Sequence, residues 1–206
     1  MKKILLFITY FLAGVFSIQA QTLYSSTPGG GDYGGGAIIK FVPSTNKLTI
    51  GKSFESEGYS PVAGFLQAKD GKLYGMTTFG GKFHNGVIFS FDPSTSAYRR
   101  LKDFDGINGG YPGGALIQAK DGKLYGMTPA GGSHGYGVIF SFDPASSAYM
   151  KLKDFDGTDG AIPNGSLIQA SDGKLYGMTL EGGTFGREDE NNGYGVIFSF
   201  DPATSG

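Results

Sequence analysis

A block of about 50 residues recurs four times along this chain, and that recurrence narrows the open folds to a few. The clearest copies read KLYGMT at 72–77, 123–128 and 174–179. Each is followed by a Gly-Gly pair and then by GVIFSFDP at 86–93, 137–144 and 195–202. A fainter first copy reads TLYSST at 22–27 and GAIIKFVP at 36–43. Tyr24, Tyr74, Tyr125 and Tyr176 fall 50, 51 and 51 residues apart, and Phe54, Phe104 and Phe155 keep the same step. Such a period describes one supersecondary unit stacked on itself, each copy hiding its apolar faces against the next.

The third copy displays the unit most plainly. ALIQA at 115–119 is short and apolar, and KLYGMT at 123–128 follows after the turn Asp121-Gly122, a hairpin signal. VIFSF at 138–142 follows a glycine-rich loop, and YMKLKDF at 149–155 follows the turn Asp143-Pro144-Ala145-Ser146. That spells four short strands with no helical period. VIFSF is apolar at nearly every position, so both of its faces are expected to be buried. In the fourth strand Lys151 and Lys153 flank Leu152, as Arg100 and Lys102 flank Leu101. Lysines protect an exposed sheet edge, which places that strand outermost.

The predicted fold is therefore all-β, a β-propeller of four-stranded antiparallel blades. The Gly-Gly doublet and the terminal aromatic invite comparison with kelch and quinoprotein-type repeats, and a β-solenoid is the rival. The repeats divide as 21–58, 59–109, 110–160 and 161–206. Propellers have roughly four to eight blades, and about 3.6 units are present here. The chain opens at a second strand and stops at Asp201-Pro202, before a fourth. The expectation is a partial ring from a longer polypeptide, completed by further blades or by self-association.

Residues 1–20 read as a secretory signal peptide: Lys2 and Lys3, an apolar run from Ile4 to Phe16, then Ser17-Ile18-Gln19-Ala20. With no second apolar run, the mature chain is expected to be secreted, with no membrane span. It contains no Cys, which excludes disulfides and thiol chemistry. A net charge of −1 offers no basic stripe for nucleic acid.

The run F-D-G-x-x-G-x-x-P-x-G-x-L-I-Q-A-x-D-G-K-L-Y-G-M-T-x-x-G-G, closed by G-V-I-F-S-F, resembles the GloVer tandem repeat, a bacterial family. The likeness covers nearly all of Leu23 to Pro202. Met76, Met127 and Met178 stand where that family commonly has Thr. The first copy departs further, with Ser25 for Gly and Ser53-Phe54-Glu55 for Asp-Phe-Asp. The resemblance implies an extracellular or surface-anchored protein and brings no enzymatic activity to carry over.

Blade geometry gives the site expectation. Strand parity puts the short Lys-Asp-Gly-Lys and Asp-Pro turns at one end. The variable second-to-third loops and the blade linkers share the other, where binding residues usually sit. His84, His134, Tyr136, Arg187 and Tyr194 are the candidate ligand-binding residues on that face. The two histidines are not equivalent within the repeat, and a two-His metal site lacks further ligands. Asp103-Phe104-Asp105-Gly106 and Asp154-Phe155-Asp156-Gly157 invite a Ca²⁺ reading, but no Glu follows at the spacing a calcium loop wants. Asp-Gly turns account for them more simply. Arg187 to Asn192 reads as a solvated acidic loop or a specificity loop. No nucleophile elbow or equivalent His base is present, so no cofactor or catalytic residue is assigned. The expected function is a non-catalytic module that binds glycan or protein. The alternatives are part of a carbohydrate-active enzyme whose catalytic residues lie elsewhere, and a spacer without ligand.

Overall fold

The computed structural model describes residues 21–61, 63–184 and 193–204. Residues 1–20, where a signal peptide is expected, and residues 185–192 with Arg187 lie outside the described residues. The first sheet comprises β1 (Leu23–Thr27), β2 (Ala37–Val42) and β3 (Lys47–Ser53). The second holds β4 (Tyr59–Pro61), β5 (Leu66–Gln67), β6 (Leu73–Phe79), β7 (Val87–Asp92) and β8 (Ala97–Asp103). The third runs β9 (Ile117–Gln118), β10 (Leu124–Thr128), β11 (Val138–Phe142) and β12 (Tyr149–Asp154). The fourth contains β13 (Ala161–Pro163), β14 (Ile168–Gln169), β15 (Leu175–Glu181) and β16 (Ile197–Phe200). Neighbouring strands pair antiparallel in every sheet. No α-helix occurs among the described residues. This is the propeller-type architecture that the repeat predicts.

Three apolar layers hold the four sheets together, one between each consecutive pair. Ile38 of the first sheet meets Phe89 and Phe91 of the second. Met76 and Ile88 of the second meet Phe140 and Phe142 of the third. Met127 and Ile139 of the third meet Leu175 and Phe200 of the fourth. Strands β7 and β11 are buried along all of VIFSF, because alternate side chains serve two different layers. Strand β16 is not: Ile197 is 80% exposed, since no sheet covers that side.

The linker phenylalanines lock each unit to the next. Phe54, Phe104 and Phe155 are essentially inaccessible. Their N–H groups donate to Gly36, Gly86 and Gly137 of the preceding sheet. Their rings meet Phe89, Phe140 and Phe198 of the following sheet edge-on, at 5.3–5.5 Å. Each such pair adds roughly 1 kcal/mol beyond its buried area.

Two features depart from the sequence reading. The innermost strand, expected over 115–119, is only Ile117–Gln118 in regular pairing. Its flanks bond to the next unit instead: Ala115 N donates to Ser166 Oγ at 2.8 Å and Lys120 N to Gln169 Oε1 at 2.9 Å. In the second and fourth sheets a further short strand, β4 or β13, pairs with the far end of the LYGMT strand. The weak first copy also has a physical reason. Gly75, Gly126 and Gly177 lie opposite Phe89, Phe140 and Phe198, whose rings leave no room for a Cβ. In the first sheet Ser25 lies opposite Ile39, so both members of the pair change together.

Candidate ligand-binding face

Each second-to-third loop begins at the Gly-Gly doublet and is knitted to the linker beside it. Gly81, Gly132 and Gly183 donate their N–H to Ser56, Gly106 and Gly157 of the linkers. Farther along, Ser60, Tyr111 and Ile162 donate to Gly35, Asn85 and Tyr136 of the preceding loops, at 2.8–3.0 Å. Loops and linkers therefore form one continuous ledge at a single end of the sheets, as strand parity requires.

The carboxylates of the Asp-Phe-Asp pattern build this ledge. Asp103 Oδ1 accepts Lys82 N at 2.8 Å and Asp154 Oδ1 accepts Ser133 N at 2.9 Å. Burial pushes the Asp154 carboxyl up, but the Lys151 ammonium and the Ser133 N–H outweigh it and hold it below its ordinary value. The second glycine of the doublet leaves space for that carboxylate: a Cβ on Gly81 or Gly132 would stand 2.5 Å from Asp103 or Asp154 Oδ1. The first copy replaces the pair with Ser53 Oγ, which accepts Asp32 N and donates to Asp32 Oδ2. The second Asp of each pattern closes its own turn, Asp105 with Asn108 and Asp156 with Thr158 and Asp159. Among the described residues no group of three His, Asp or Glu is arranged to hold a metal ion.

Four of the five candidate residues lie on the ledge within the described residues. His84 is exposed and takes a left-handed backbone, φ +61°, where Gly34 and Gly135 stand in their copies. His134 is exposed one register step earlier, its Nδ1 3.3 Å from Ser133 Oγ. Tyr136 and Tyr194 are equivalent, bridged to Gly131 and Gly182, and are 45% and 68% exposed. Tyr136 lines a hollow of about 260 Å³ with Asp156, Thr158 and Glu181. No hydrogen bond joins the two histidines among the described residues.

The ledge also presents rings that motif reading passed over: Tyr33, Tyr59, Phe79, Phe83 and Tyr111, all 38–64% exposed. Tyr33 and Tyr59 wall a hollow of about 390 Å³ with Glu55 and Ser56. Tyr33 and Phe83 share one register position, held by His134 in the third copy, whereas Tyr59, Phe79 and Tyr111 have no aromatic counterparts, so a search for shared motifs skips these three. Comparing the copies for what differs would have found them. At the opposite end the carboxylates are committed to local bonds: Asp70, Asp121 and Asp172 accept from Tyr74, Tyr125 and Tyr176 hydroxyls at 2.7–2.8 Å.

A ledge of variable loops on stacked antiparallel sheets defines a propeller-type repeat protein. The family model described as the Gloeobacter/Verrucomicrobia repeat matches residues 15–206, and the chain belongs to that family. No curated protein matches it. Among solved structures it is similar to TolB from Acinetobacter baumannii, with 16% identity, a TM-score of 0.53, and 90% of this chain against 40% of that one. It is similar to a putative 6-phosphogluconolactonase from Bacteroides fragilis, with 16% identity, a TM-score of 0.54, and 93% against 52%. The Nidogen/Laminin complex gives 11% identity, a TM-score of 0.53, and 87% against 57%. The extracellular domain of a putative one component system from B. thetaiotaomicron gives 13%, 0.53, and 78% against 19%. The chain thus spans between about a fifth and somewhat over half of these proteins. At such identities the likeness is one of fold.

Proposed function

We propose that this protein is a non-catalytic binding module, secreted or displayed at the cell surface, whose loop ledge meets a glycan or a protein. One observation carries the reading: exposed aromatic rings gather on the ledge, whereas the opposite end consists of short polar turns that satisfy their own hydrogen bonds. Exposed rings on a rigid scaffold suit binding, since they offer large contact area at small cost in side-chain entropy. Two similar folds support the setting, one from an extracellular domain and one from a complex with laminin. No helix among the described residues is long and apolar enough to cross a membrane.

The test is a binding screen of the purified, labelled protein on a glycan array and on immobilised extracellular-matrix proteins. Binding to at least one surface is expected, and it should weaken at least tenfold in a variant stripped of ledge aromatics. Charge-neutralised opposite-end turns (Lys69→Ala with Lys120→Ala) should bind as the parent does. If the turn variant loses binding and the ledge variant keeps it, the face has been assigned to the wrong end. Binding to neither surface overturns the reading.

A further inference from the structure

We infer that the rings of Tyr59, Phe79 and Tyr111 form a stacking platform for a neutral polysaccharide chain; this rests on the binding-ledge reading and gives it a ligand class. Tyr59 lies opposite Phe79 across the β4–β6 ladder, and their rings stack at 5.5 Å with planes 25° apart. Tyr111, from the linker that enters the third sheet, meets Phe79 edge-on at 5.8 Å.

The repeat itself shows that the fold does not require these rings. One unit on, the same bridge joins Gly110 to Ala130, and in the fourth unit Ala161 pairs with Glu181. Ser60 and Ile162 take the backbone that Tyr111 takes, with φ of 58°, 54° and 56°. The backbone persists without aromatics in the sister copies. Three rings have collected where the central one, Phe79, meets both of the others. They remain 38–42% exposed, so their mutual contact leaves ring surface facing water. Exposed rings grouped in this way mark an interaction surface better than scattered ones do.

The shape and chemistry of the surroundings favour sugar. A pyranose has C–H groups on its faces and hydroxyls around its rim. The negative face of an aromatic ring attracts the C–H groups, and nearby polar atoms take the hydroxyls. Tyr59 also walls the hollow of about 390 Å³ that holds Glu55 and Ser56, which sets a carboxylate and a hydroxyl beside the stack. Nucleobases stack on rings too, but their phosphates need a basic track, and this hollow supplies none. A protein hot spot would need a deep, desolvated socket. A row that steps from ring to ring suits a ligand that is itself a chain of rings.

Native affinity electrophoresis in gels carrying hydroxyethylcellulose, galactomannan or pullulan tests this. The comparison sets the parent protein against Tyr59→Ala/Phe79→Ala/Tyr111→Ser and against Tyr136→Ala/Tyr194→Ala. The first variant carries residues that the sister copies hold at those positions, so it should keep a cooperative melt. At least one polysaccharide is expected to retard the parent. The platform variant should lose at least tenfold in affinity, and more than Tyr136→Ala/Tyr194→Ala, whose rings lie elsewhere on the ledge, loses. If the platform variant loses its cooperative melt, Phe79→Ala alone removes the central ring and is read by the same criteria. Equal retardation of parent and platform variant overturns the inference. So does a parent unretarded in all three gels. Loss confined to Tyr136→Ala/Tyr194→Ala overturns the platform while leaving the ledge reading intact, and a protein ligand found on the ledge without any polysaccharide binding does the same.

Discussion

Small changes in linker length reach single hydroxyl groups in this repeat. Tyr98 and Tyr149 are equivalent residues of the outer strands, each packed against a linker phenylalanine of its own layer. The Tyr149 hydroxyl donates to the Asn108 carbonyl. The Tyr98 hydroxyl is buried with no partner among the described residues. The linker from Phe104 to Gly110 is one residue longer than that from Phe54 to Tyr59, and Asn108 lies within the longer one. Burial pushes both phenols upward in pKa, so each stays neutral and acts only as a donor or an orphan. Losing a made bond costs about 1 kcal/mol, whereas deleting an orphaned polar group costs nothing or stabilises. Tyr149→Phe is therefore expected to lower the melting temperature by several degrees, and Tyr98→Phe to leave it level or raise it. Thermal melts of the two variants decide this, and a larger loss for Tyr98→Phe would contradict it.

At the scale of elements, coupling over distance explains what was legible and what was not. Strands two to four could be read because each is an unbroken apolar or alternating run whose partners are its neighbours in sequence. The inner strand was overestimated because its donors go to Ser166 and Gln169, about 50 residues away, where no local pattern can register them. The Asp-Phe-Asp motif was visible, yet its role was not: Asp154 holds a loop 21 residues earlier. Of the face, the end of the blade and the residues Tyr136 and Tyr194 followed from strand parity, while the platform rings sit where the repeat fails. The doublet and the carboxylate form one device, which a double-mutant cycle can expose. Gly132 has φ +84° and no space for a methyl group beside Asp154 Oδ1 and Val138. Gly132→Ala should cost at least about 2 kcal/mol, from strain and crowding together. Asp154→Ser copies Ser53 of the first unit and relieves part of the clash. The double variant should thus lose less than the sum of the two singles by about 0.5–1 kcal/mol. Strict additivity in denaturant melts would show that the carboxylate and the glycine act separately.

At the scale of the whole molecule, the interior layers show what kind of surface would cover the open faces of the first and fourth sheets. Met76, Met127, Ile88 and Ile139 are buried at 0–5% exposure, each under the phenylalanines of the following sheet. Their counterparts on the fourth sheet, Met178 and Ile197, are 59% and 80% exposed, and Ile168 beside them is 64% exposed. Leu23 and Leu48 leave the outer side of the first sheet similarly open, at 53% and 60%. The two open sides are complementary in kind, because every interior layer joins one side of each type. Contact between them in different copies would be head-to-tail, which closes into rings or runs on into filaments. Each fully buried Met or Ile contributes roughly 1.5–3 kcal/mol, so covering even these few side chains is worth several kcal/mol before the entropy of association is subtracted. The chain as given is therefore expected to self-associate in a concentration-dependent way. Ile197→Lys together with Met178→Glu places charge on the open layer and should shift the weight-average mass towards the monomer without lowering the melting temperature, since neither side chain supports an interior contact. Light scattering over a dilution series is the measurement. A parent protein that remains monomeric at high concentration would mean that the open side of the fourth sheet is tolerated in water.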